Sequence, residues 1–127
     1  MSKRLTDDDR RYRALTEAQF QGQVTSLAQL LGWHWVHVSY GPRLNRAGAV
    51  ARYTTPTTGT MARGWPDLVL VRPKDKRIIF AELKRETGET TSEQDLVLDI
   101  LRALVSDRVE VHVWRPSDID ALALVLQ

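Results

Sequence analysis

The chain has 127 residues, a net charge of +2 and no cysteine, so it is long enough for one domain with its own core, and disulfides and thiolate zinc sites are excluded. Any metal must be held by oxygen or by the three histidines. The 43% apolar and 27% charged fractions are ordinary for a globular protein, and no stretch reaches the ~20 apolar residues of a membrane span or resembles a signal-peptide core, so a cytoplasmic location is expected.

Residues 1–15, "MSKRLTDDDRRYRAL", mix dense charges of both signs and read as a mobile or loosely docked arm ahead of a single domain at 16–127. In "TEAQFQGQVTSLAQLLGW", Thr16 and Gln19 have capping-box spacing, and Phe20, Val24, Leu27 and Leu31 recur on one helical face before Gly32 ends the pattern. Glu17 falls three residues before Phe20, which predicts that it continues the inward stripe; a first-turn acid favoured by the helix dipole is the other reading. "WHWVHVSY" alternates and is aromatic-rich, so it reads as a strand.

A Gly-, Pro-, Thr- and Arg-rich loop without sustained periodicity is expected over residues 41–63. No acid occurs between Glu17 and Asp67, a gap of 49 residues that carries Arg43, Arg46, Arg52 and Arg63. Such a segment suits phosphate neutralisation on a nucleic acid, or is simply a solvated loop. "DLVLV" and "RIIFAEL" read as strands joined by the turn signal "RPKDK". "SEQDLVLDILRALV" predicts a helix capped by Thr91 or Ser92, with Val97, Leu98, Leu101, Leu104 and Val105 on its apolar face. A strand "RVEVHVW" and a closing helix over 116–127 complete the order α-β-(loop)-β-β-α-β-α. The expected fold is α/β, a mixed sheet flanked by helices.

Charges at the strand ends point to chemistry. If Arg72 faces Arg77 across the short turn, Asp67 lies opposite Glu82, and Lys84 shares their face two residues on. Leu68, Leu70, Ile79, Ala81 and Leu83 then point the other way. Two carboxylates so close repel unless a cation lies between them, and a hard ion such as Mg²⁺ or Mn²⁺ suits oxygen ligands. A lysine beside them can stabilise charge growing on a phosphate. Acid, acid and lysine at one sheet end form a kit for phosphodiester hydrolysis. The simpler reading is a turn-capping Asp67 and a surface Glu82–Lys84 pair. Gln94 shares a helix face with Val97 and Leu101, either inward-facing or as a capping amide. The histidines lack metal-ligand spacing and read as strand-surface residues. Trp65 precedes the acids by two positions, where it could stack on a base or pack in the core.

"GWPD" at 64–67 followed by "AELKRETGETTSEQ" at 81–94 resembles the signature of PD-(D/E)xK nucleases, and most closely that of their VRR-NUC (virus-type replication–repair nuclease) family. The resemblance covers most of residues 16–118. It implies a restriction-endonuclease-like core, with Asp67, Glu82, Glu17 and the Leu83 carbonyl as metal ligands, and Lys84 and Gln94 in catalysis beside Asp67 and Glu82. It further implies an Mg²⁺- or Mn²⁺-dependent endonuclease acting on branched or structured DNA, such as four-way junctions or flaps, in a bacterial cell or a phage-infected host. A homodimer would suit a twofold-symmetric junction. The alternative is a non-catalytic DNA-binding module on the same fold.

Overall fold

In the computed structural model, which describes residues 4–39, 43–44, 50–52 and 58–127, the chain begins with a helix. Helix α1 (Asp7–Ala14) forms within the charged segment read as a mobile or loosely docked arm. Thr6 and Asp9 cap each other's backbone amides, three aspartates occupy the first turn, and Arg11 and Arg13 the last, so the charges complement the helix dipole. No residue of α1 is buried. It is fastened instead by Arg85, whose guanidinium donates to the Arg13 carbonyl at 3.3 Å, and by packing against the turn at Pro116–Asp118.

Helix α2 (Glu17–Leu30) starts on the expected Thr16–Gln19 capping box. It ends in a Schellman motif. Gly32 takes φ +88°, its N–H reaches the Gln29 carbonyl (3.2 Å), and the Trp33 N–H reaches the Ala28 carbonyl (3.0 Å). Phe20, Val24 and Ala28 are fully buried. Glu17 does not continue their stripe: it is exposed. Helical side chains lean towards the N-terminus, so a residue in the first turn projects past the helix end instead of onto the sheet.

Six strands follow among the described residues: β1 (His34–His37), β2 (Arg43–Leu44), β3 (Val50–Arg52), β4 (Leu68–Arg72), β5 (Arg77–Leu83) and β6 (Val109–Trp114). The main sheet has the order β1-β4-β5-β6, with β1–β4 and β4–β5 antiparallel. β6 joins parallel to β5 after a crossover through α3 (Ser92–Arg102). The hairpin register is the expected one, from Arg72 opposite Arg77 to Leu68 opposite Ala81. The segment read as one long loop contains a small antiparallel ribbon, β2–β3, with Arg43 paired to Arg52. Strands of two and three residues are too short to leave a period in the sequence.

The helices and sheet form three layers. α2 and α4 (Ile119–Leu126) cover the face carrying Leu68, Leu70, Ile79, Ala81, Leu83 and Trp114; these residues join Phe20, Val24, Leu122 and Leu126 in the main core. α3 covers the opposite face with Val97, Leu98 and Leu101. It stops at Arg102, short of the predicted end, which leaves Leu104 and Val105 outside the helix and exposed.

At the turn end of the hairpin, the opposed pair Arg72 and Arg77 lies on the core face, where two like charges should repel. Both guanidiniums sit over the Trp33 ring, 4.6 and 4.9 Å from its centroid. Arg72 forms a forked pair with Asp75 (3.0 and 2.8 Å) and donates to the carbonyls of Leu31, Leu126 and Gln127. Arg77 pairs with Glu110 (2.6 Å) and donates to the Val125 carbonyl. The two cations thus tie the hairpin to the C-terminal ends of α2 and α4, where helix carbonyls lack partners.

Candidate active site

The other end of the hairpin gathers the acids. Glu82 lies on the α3 side of β5 and is only 1% exposed. Its Oε1 accepts from Gln94 Nε2 at 2.8 Å, and Lys84 Nζ stands 3.7 Å from the same oxygen. Its Oε2 is buried and has no hydrogen-bond partner. Burial, with the Asp67 carboxylate beside it, pushes the Glu82 carboxyl up to about 8, against a partial opposing pull from Lys84. Asp67, just before β4, is half-buried, and its Oδ2 accepts the Leu83 N–H at 2.9 Å. The Lys84 side chain is 13% exposed, so its ammonium is largely withdrawn from solvent next to the two acids.

Gln94 fulfils both readings made of it. Its Oε1 accepts the Thr91 N–H (2.9 Å) in the capping box of α3, while its amide nitrogen holds Glu82. The start of α3 is therefore fixed to the carboxylate through one side chain.

Gly64 serves close packing and not a left-handed turn. Its φ is not positive, so it does not serve a sharp turn. It lies in the 3-10 turn Ala62–Gly64, which packs on α3 so closely that a Cβ there would sit 2.1 Å from the Glu93 carbonyl oxygen. Only glycine permits that approach. Nothing in the spacing of the sequence signals this contact, because the two elements are distant in the chain. Trp65, half-buried, packs edge-on against the half-buried Phe80, with centroids 5.6 Å apart.

Asp67, Glu82, Lys84, Leu83 and Gln94 are thus brought together. Glu17 lies on the exposed first turn of α2, and among the described residues there is no group of three or more acidic or histidine side chains placed to hold an ion. A cation here would draw on Asp67, Glu82 and a main-chain carbonyl. That donor set, all oxygen with an orphaned buried carboxylate atom among it, fits Mg²⁺ or Mn²⁺, which keep several waters of their own. Arg63 is exposed on the 3-10 turn, Arg43 and Arg52 are backbone register partners in the ribbon, and Arg46 lies outside the described residues. A recess of about 310 Å³ between that turn and α3 is lined by Thr60, Arg63, Glu93 and Leu96 and includes neither Asp67 nor Glu82.

A three-layer α/β domain with two acids and a lysine at the ends of adjacent strands is of the nuclease type. The sequence profile of the VRR-NUC domain matches residues 7–115, and the chain belongs to that family of nuclease-type, DNA-processing domains. A solved structure described as a VRR_NUC domain is similar at 21% identity, covering 85% of this chain and 95% of its own, with a TM-score of 0.49. No curated protein matches the chain.

Proposed function

We propose that the protein is a metal-dependent endonuclease that hydrolyses phosphodiester bonds in branched or structured DNA. The observation that carries this reading is the Glu82 carboxylate: buried, unpartnered at Oε2, and set beside a second acid. A buried carboxyl without a partner is costly, and a cation supplied at that point would remove the cost.

Asp67, Glu82 and the Leu83 carbonyl would hold Mg²⁺ or Mn²⁺. The ion, when bound, supplies a Lewis acid for the phosphate oxygens and lowers the pKa of water. Gln94 orients Glu82 for that task. Lys84 places a positive charge where the phosphate gains negative charge during attack. Arg43, Arg46, Arg52 and Arg63, in the stretch without acids between Glu17 and Asp67, would neutralise backbone phosphates.

Incubation with linear, flapped and four-way DNA in Mg²⁺, Mn²⁺ or EDTA tests the reading. Cleavage of flapped or four-way DNA in the metal buffers, lost in EDTA, is expected. DNA binding in EDTA should weaken, and its salt dependence flatten by up to ~0.9 log units per lost phosphate contact, when Arg43, Arg46 and Arg52 are replaced by alanine. Binding without cleavage under every metal condition would leave a non-catalytic DNA-binding module instead.

A further inference from the structure

Leu83 stands where the hairpin ladder runs out. Its N–H goes to the Asp67 carboxylate at 2.9 Å and not to a main-chain carbonyl. The next amide, that of Lys84, donates to the Trp114 carbonyl on β6 at 3.0 Å. The intervening peptide is trans, so the Leu83 C=O points the opposite way, towards the Asp67 side.

Register identifies what should meet it there. The pairs Arg72–Arg77, Leu70–Ile79 and Leu68–Ala81 lead, one step further, to Pro66 opposite Leu83. Residues in such a pair exchange both their N–H and C=O groups. Proline has no N–H to give.

We propose that Pro66 is a positioning residue: by withholding the ladder donor, it leaves the Leu83 carbonyl free as a third oxygen beside Asp67 and Glu82 for a hard divalent cation. This rests on the metal-dependent reading above. A residue other than proline at position 66 would bring an N–H that the continued register directs towards that carbonyl. A proline that merely begins a strand would have no bearing on metal affinity.

The test uses the full chain. Mn²⁺ is titrated calorimetrically into the wild type and Pro66→Ala, and the Leu83 carbonyl carbon is followed by NMR as Mg²⁺ is added. Pro66→Ala is expected to weaken Mn²⁺ binding by roughly 10–100-fold, the usual cost of losing support for a metal ligand. The amide it introduces should show a through-hydrogen-bond coupling to the Leu83 carbonyl. In the wild type, the Leu83 signal should move with Mg²⁺. Equal Mn²⁺ affinity in the two proteins would overturn the role of Pro66. So would a wild-type Leu83 carbonyl unmoved by saturating Mg²⁺, a result independent of whether the variant folds. A wild type that binds no Mn²⁺ at all would overturn the metal-dependent reading itself.

Discussion

Lys84 and Gln94 approach the same oxygen of Glu82 from two directions, yet their duties differ. Gln94 holds the carboxylate in place; Lys84 carries charge that a phosphate can use. Lys84→Ala should therefore cost about 10²–10³ in cleavage rate, the range for losing one preorganised charge-stabilising group. DNA affinity should change little, since one lysine is a small share of the phosphate contacts. Wild-type cleavage by Lys84→Ala, measured on the same DNA, would remove Lys84 from the chemistry. These residues were legible because strand alternation and helix periodicity both state which way a side chain points. Glu17 misled for a related reason. Periodicity holds along a helix body and fails in the first turn, where the side chain has run out of helix to lie against.

Among the elements, the contact between the 3-10 turn Ala62–Gly64 and α3 decides how the site is assembled. It brings the backbone leading to Asp67 against the turn of α3 that presents Gln94. Gly64→Ala would drive a methyl group into the Glu93 carbonyl, at 2.1 Å, and into Val97. The first obstacle is backbone and cannot rotate away, so a loss of roughly 1–3 kcal/mol is expected, as for other overpacked positions. Thermal denaturation measures it, and an unchanged melting temperature would show that turn and helix can separate freely. The β4–β5 hairpin was readable because a short turn leaves only one register that keeps the leucines together. The β2–β3 ribbon and helix α1 were not. One is too short for a period, and the other buries no face, so its only sequence signal is a capping box inside a run of charges.

Across the whole molecule, two acids with opposite shifts set the pH response of the metal-free protein. Glu82 rises from its ordinary 4.5 to about 8, so the folded state holds that proton more tightly and stability falls as pH climbs through this interval. Asp75 is lowered from 3.8 to about 2, chiefly by its hydrogen bonds with Arg72; the stability it adds is present above 3.8 and lost as pH falls through about 2. Melting temperature in chelator should therefore peak near pH 4, between the two ordinary values. Glu82→Gln should flatten the alkaline side and Asp75→Asn the acid side. A melting temperature that rises through neutral pH in chelator would contradict the Glu82 assignment. The Arg72–Arg77–Trp33 tie behind the acid limb could not be read from the chain. Two arginines facing each other on a core face become tolerable only once helix carbonyls and acids from distant segments surround them. That tie turns the hairpin into a strut clamped at one end and carrying Asp67 and Glu82 at the other. Five residues of β4 span roughly 17 Å, beyond the ~7–10 Å within which substitutions usually couple. Weakening the clamp with Arg77→Met should lower the melting temperature and leave Mn²⁺ affinity at low temperature alone, while Glu82→Gln does the reverse to metal binding. In the double variant each loss should keep the size it has alone, so the end that keeps the domain folded and the end that carries the acids are free to be altered separately.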